Sequence, residues 1–172
     1  LSKIFCAGIS RVVINTHYLS NLVVDFIEDS QWRTHIDLFH EPVLLGTGGT
    51  LIATRKVLGE GSLVVIHADN LSSINLNAFK SAHLNRPKNC AMTMAIFETD
   101  TPKTCGIVKL DSHSRIISMH EKVPNPPSNL ANAAVYIMEP EILSQIELME
   151  GKELDISTEI IPTFLGKIYS IK

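Results

Sequence analysis

The stretch Leu63-Val64-Val65-Ile66-His67-Ala68-Asp69-Asn70 is the most informative in the chain. Four apolar residues in a row, three of them β-branched, suit a strand covered on both faces, as in a parallel sheet. The polar residues that follow turn the chain at the carboxyl end of that strand. Upstream, Arg11 to Asn15 reads as a second short buried strand and Ile36 to Phe39 as a third. Between them, Tyr18 to Asp29 repeats Leu19, Leu22, Val23, Phe26 and Ile27 at helical spacing. Gly46-Thr47-Gly48-Gly49 predicts a glycine-rich turn into a helix over Thr50 to Leu58, and Asn75 to Asn85 predicts another helix with Leu76, Phe79 and Leu84 as its apolar positions. Strand and helix alternate through this half, which implies a parallel sheet with right-handed crossovers.

The second half has a different texture. Ala91 to Phe97, Gly106 to Leu110, Arg115 to Glu121 and Ala133 to Met138 predict four strands joined by short polar turns, with Asp111 to Ser114 as a hairpin loop. Helices over Glu139 to Leu148 and Ser157 to Leu165, then a strand over Tyr169 to Ile171, close the chain. At the other end, Leu1 to Ala7 reads as the tail of a helix stopped by Gly8. A sequence that opens inside a helix without methionine is expected to be a piece of a longer one.

Composition narrows the function classes. At 172 residues and 45% hydrophobic, the chain can bury one core. Its net charge of -3 and scattered basic residues give no stripe for tracking nucleic acid, and no apolar run approaches a membrane span. Cys6, Cys90 and Cys105 lack metal-type spacing, which favours plain thiols, a reducing compartment and hence a cytoplasmic location. A homo-oligomer is compatible with all of this.

Four constellations could carry chemistry. Glu41-Pro42 to Gly49 lies between a strand and a helix, where glycines let a backbone approach a flat ligand and a helix start offers unpaired N–H groups; a tight connection would look the same. Asp69 stands at a strand's carboxyl end, where open α/β sheets gather ligands and a carboxylate can hold Mg²⁺ against phosphate; it could equally cap a turn. Glu121-Lys122 pairs an acid with a cation suited to phosphate, or is a solvated surface pair. Asn129 to Ala134 sets small residues beside an amide, as a polyol pocket or a packed strand start would.

Their order resembles a family. The stretches GISRVVINTHYL, EPVLLGTGGTL, LVVIHADNL, CGIVKLDSHSRIISMHEK, NLANAAVYIMEPEIL and DISTEIIPTFL are similar to those of the sugar-nucleotide pyrophosphorylases, a nucleotidyltransferase family, in family order and over nearly the whole chain. The resemblance implies one domain over residues 1–172 with a Rossmann-like three-layer α/β fold: a mostly parallel sheet, an antiparallel or mixed second half, and truncation at the N-terminus. It implies transfer of a nucleotidyl group to a sugar 1-phosphate, with release of pyrophosphate. The form of the glycine loop favours GTP and a mannose- or heptose-type sugar, with a uridylyltransferase for amino-sugar phosphates, or a binding module without turnover, as alternatives.

By the same resemblance Glu41, Pro42, Gly46, Thr47, Gly48 and Gly49 bind the nucleotide. Asp69 holds Mg²⁺ and, with Lys122, serves catalysis. Gly106, Glu121, Lys122 and Asn132 bind the sugar phosphate. Ala68 and Ala134 stand where members often carry glycine, and Ala134 is expected to narrow the sugar pocket. No stretch matches the family's opening strand and glycine-rich triphosphate loop, or its second metal-binding aspartate. The chain alone is therefore expected to transfer negligibly and to leave the Arg11-to-Asn15 strand without a neighbour, exposing apolar surface and open edges.

Overall fold

The structure is a computed structural model that describes residues 1–70, 72–149 and 153–172. Helix α1 (Ser2–Cys6) ends where Gly8 takes a positive φ of 78°. Strand β1 (Val12–Thr16), helix α2 (Ser20–Glu28) and strand β2 (Ile36–His40) then form a parallel β-α-β unit, with Val12 opposite Ile36 and Thr16 opposite His40. Helices α3 (Gly46–Ala53) and α4 (Arg55–Leu58) lead to strand β3 (Leu63–Ile66) and helix α5 (Leu76–Leu84). Asn75 caps α5, its side-chain oxygen accepting from the amides of Asn77 and Ala78, both at 3.1 Å.

The rest is a mixed sheet. Strands β4 (Met92–Glu98), β5 (Gly106–Leu110), β6 (Ile116–Glu121), β7 (Leu130–Met138) and β8 (Ile168–Ile171) run in the order β6-β5-β7-β4-β8, with β3 joined to β7. Only β4 and β8 pair in parallel here. Helix α6 (Pro140–Ile146), a π-type turn at Ile156–Ile160 and the short α7 (Ile161–Thr163) cover one face. On that face Leu51, Tyr136, Met138, Ile142, Leu154 and Ile156 pack into the main core, while Phe79, Val135 and Ile137 form a smaller core under α5.

The α/β class is therefore observed, as a parallel sheet beside a mixed one. One expected connection differs. Strand β3 does not continue the parallel sheet of β1 and β2; it pairs antiparallel with the carboxyl half of β7, Leu63 opposite Met138 and Ile66 opposite Val135. The edges of β1 and β3 instead flank a cavity of about 420 Å³ lined by Arg11, Val13, Leu63, Val64 and Ile137 among others. None of the residues singled out for chemistry lines it.

Two predicted apolar faces also differ. Only Ile27 of α2 is buried, and Leu22 and Phe26 remain 63% and 62% exposed. In α5, Leu76 and Phe79 are buried but Leu84 is 79% exposed. The buried place near the end of α5 goes to His83, whose Nδ1 and Nε2 lie 2.8 Å from Thr93 Oγ1 and Glu139 Oε1. Burial lowers the His83 pKa, and the bond to Glu139 opposes that effect. Among the described residues no helix is long and apolar enough to cross a membrane. Cys90 is a buried thiol whose pKa burial raises, whereas Cys6 is exposed.

Candidate sugar-nucleotide site

Strand β7 organises the site because it is long enough to carry different neighbours along one edge. Its carboxyl half pairs with β3, and its amino half meets β5, with Ala131 opposite Ile107. Both β3 and β5 run antiparallel to β7, so the carboxyl end of β3 points at the start of β5. The residues between are Asn132, Ala133 and Ala134, where Ala134 turns to a φ of 53°. The His67 amide donates to the Ala134 carbonyl at 3.2 Å and closes β3 against this bend. The end of β3, three residues before Asp69, and Gly106 at the start of β5 thus lie on either side of the Asn132–Ala134 stretch of β7.

The β5–β6 hairpin supplies the acid and the cation. Gly106 lies opposite Glu121, and a Cβ added at Gly106 would sit 2.5 Å from Glu121 Oε2 and 2.9 Å from Met119 Cε. The glycine therefore makes room for the carboxylate. Lys122 follows in a left-handed conformation, φ 47°, its amide donating to the Cys105 carbonyl at 3.2 Å. Backbone of this kind costs roughly 1–3 kcal/mol and concentrates at functional positions. Lys122 Nζ stands 3.8 Å from Glu121 Oε1, both side chains being open to solvent.

Asn132 is held by its own strand. Its Nδ2 donates to the Tyr136 hydroxyl at 2.7 Å and its Oδ1 accepts from the Ala134 amide at 2.9 Å. Tyr136 is fully buried, and that burial, with the carboxylates of Asp155 and Glu121 adding to it against the hydrogen bond to Asn132, pushes its hydroxyl up to about 12. The positive φ at Ala134 gives a backbone reason for glycine at that position, separate from pocket width.

The glycine-rich segment is the first turn of α3 rather than a loop before it. Its amides are taken up by another part of the chain: Gly48 and Gly49 both donate to the Leu154 carbonyl, at 2.6 and 3.2 Å. The Leu154 amide returns a bond to the Leu45 carbonyl at 3.1 Å. Thr47 completes the strap, donating to Asp155 Oδ2 at 3.0 Å and accepting from the Ile156 amide at 2.8 Å. A Cβ at Gly46 or Gly48 would lie 2.6 or 2.9 Å from the Leu154 oxygen, so both glycines allow this approach.

Glu41 holds the same segment from behind. It is 2% exposed; Oε1 accepts from Thr50 Oγ1 at 2.5 Å and Asn15 Nδ2 at 3.2 Å, and Oε2 accepts from the Leu45 amide at 3.2 Å. His17 Nδ1 donates to the Glu41 carbonyl at 2.7 Å. Pro42, Val43 and Leu44 stay exposed at the tip. Among the partners, Asn15, Leu154 and Asp155 act through contacts distant in the chain and Thr50 and Tyr136 through nearer ones, and residue type alone singles out none of them.

Asp69 is exposed, and no hydrogen bond ties its carboxylate to another described residue. No cluster of three or more metal-binding side chains occurs among the described residues. A lone free carboxylate still suits Mg²⁺, which keeps several waters and takes further oxygens from substrate phosphates.

Known proteins resemble this chain over most of its length. The model of the nucleotidyl transferase family matches residues 1–170. A mannose-1-phosphate guanylyltransferase of Mycobacterium tuberculosis is 28% identical over 98% of this chain and 47% of its own. A mannose-1-phosphate guanylyltransferase catalytic subunit beta of Dictyostelium discoideum is 28% identical over 90% and 43%. The chain spans about half the length of the curated relatives it matches. The solved structure of HddC from Yersinia pseudotuberculosis complexed with GMP-PN has the same fold, with a TM-score of 0.79 at 20% identity, over 99% of this chain and 72% of that one.

Proposed function

This chain belongs to the nucleotidyl transferase family, and on that premise we propose that it carries the sugar-phosphate half of a sugar-1-phosphate nucleotidyltransferase site. The observation that supports the reading is that the start of β5 at Gly106, its partner Glu121 and the adjoining Lys122, and Asn132 of β7 lie beside the end of β3, which leads into Asp69. In the proposed reaction an oxygen of the sugar phosphate attacks the α-phosphorus of a nucleoside triphosphate. A new P–O bond forms, the bond to the bridging oxygen of the β-phosphate breaks, and pyrophosphate leaves. No covalent protein intermediate is needed, so positioning and charge carry the catalysis.

Each residue then has a role. Glu121 accepts from sugar hydroxyls, with Gly106 keeping its carboxylate in place, and Lys122 meets the sugar's phosphate as a point charge. Asn132, fixed through Tyr136 and Ala134, frames the sugar. Asp69 would hold Mg²⁺, which supplies neutralisation of phosphate charge when bound. Thr47 and the backbone of Gly46, Gly48 and Gly49 shape the nucleotide side, with Pro42, Val43 and Leu44 as its exposed rim. Glu41 acts there through the loop it anchors.

Guanine and a mannose-type sugar are the finer reading, supported by the names of the relatives and by the guanine nucleotide in the HddC complex. Calorimetric titration with GDP-mannose, UDP-N-acetylglucosamine and dTDP-glucose tests it. GDP-mannose is expected to bind at least tenfold tighter than the other two. Tightest binding of a uridine or thymidine sugar overturns the guanine assignment, and binding of none overturns the site.

A further inference from the structure

We infer that His67 reads the sugar: its Nε2 makes a hydrogen bond to one hydroxyl of the sugar bound at the opening between β3 and β5. The inference rests on the functional reading above and adds a residue to it. Among the described side chains, His67 Nε2 is the only nitrogen or oxygen that is buried and lacks a hydrogen-bond partner. Leaving such an atom unpaired costs about 1–3 kcal/mol. A leucine would fill the space without that cost, so a bare packing role does not account for an imidazole here.

Its position says what would pair with it. The His67 amide bonds the Ala134 carbonyl, which extends the β3–β7 ladder by one residue and places the ring on the face that carries Val65 and Tyr136. The ring meets Tyr136 edge-on, centroids 6.3 Å apart at 71°. Asp69 lies two residues on, exposed in the turn that follows β3. The amide that bonds the Tyr136 hydroxyl is already engaged: Asn132 gives Nδ2 to Tyr136, and its Oδ1 accepts from the Ala134 amide. His67 Nε2 is left with one bond to offer. A hydroxyl both donates and accepts, so a sugar can satisfy either tautomer. A site built around such a bond rejects an analogue that lacks the hydroxyl, because the nitrogen then stays buried and unpaired.

The test is calorimetry with GDP-mannose and its 2-, 3-, 4- and 6-deoxy analogues, on wild type and on His67→Leu. In wild type, one analogue is expected to bind about tenfold or more weaker than GDP-mannose. In His67→Leu that same penalty falls to about onefold, while penalties at the other positions persist. His67→Gln, which can make the same bond, keeps part of the discrimination. The thermal midpoint of His67→Leu is expected to equal or exceed that of wild type, and His67→Phe serves the same purpose should the leucine variant not fold. An unchanged set of four penalties in a folded apolar variant overturns the inference while leaving the site intact; Nε2 is then met by water or by nothing. Absence of wild-type binding to GDP-mannose, UDP-N-acetylglucosamine and dTDP-glucose alike overturns the functional reading and this inference together.

Discussion

The amide of Gly48 donates to the carbonyl of Leu154 at 2.6 Å, across more than a hundred residues of chain. This contact makes the glycine-rich turn and the Leu154–Asp155 segment one unit. It also assigns the glycine a packing duty, because a Cβ there would stand 2.5 Å from Ile160 Cδ1 and 2.9 Å from the Leu154 oxygen.

Gly48→Ala is accordingly expected to lower stability by about 1–3 kcal/mol, the usual cost of overpacking a filled space. Gly61→Ala is the control, since nothing lies within 4 Å of its added Cβ. Denaturant midpoints check both. Equal midpoints for the two variants would show that the strap yields freely.

Ala134 predicts the opposite sign. An L-residue in the left-handed region costs about 1–2 kcal/mol, and glycine's extra unfolded freedom returns roughly 0.5–1 kcal/mol of any gain. Ala134→Gly should therefore stabilise by about 0.5–1 kcal/mol, a rise of about 1–4 °C in thermal midpoint. A fall on calorimetric scanning would mean that the methyl group itself packs usefully beside Tyr136.

Much of the fold could be read locally, and the failures have a common cause. The helix that starts beside Asn75, the Asp111 hairpin and, to within a residue, the strand boundaries from Gly106 to Glu121 depend on neighbours in sequence, and they stand where expected. Periodicity, however, says which face of a helix is apolar and not what covers it, so Leu22, Phe26 and Leu84 were expected inside and lie exposed. Partner choice between strands was equally hidden: β3 looks like a parallel strand and pairs antiparallel with β7. At the site, Asp69, Glu121 and Lys122 could be singled out by residue type and place. Tyr136, Asp155 and the orphaned nitrogen of His67 could not, because their significance lies in contacts the chain makes only when folded.

The hairpin loop gives a pH test. Asp111 is held down to about 2 from an ordinary 3.8, first by its bond from the Arg115 amide, with the Arg115 side chain and the His113 amide adding to it. The folded state thus prefers the carboxylate. Its contribution is complete above the unfolded value near 4 and fades as pH falls towards 2. Thermal midpoints from pH 6 to pH 2 should drop less steeply in Asp111→Asn than in wild type across that window. Parallel curves would show that the loop's bonds do not favour the charged form.

The claim that the gap between β3 and β5 is a sugar-nucleotide site turns on Gly106 and Lys122. Calorimetric titration of GDP-mannose with Mg²⁺ present should give saturable binding to wild type. It should weaken about tenfold or more in both Gly106→Ala, where the methyl group displaces the Glu121 carboxylate, and Lys122→Ala, where a charge-assisted bond to phosphate is lost. Unaltered affinity in both folded variants would contradict the account, placing any sugar nucleotide somewhere other than this opening.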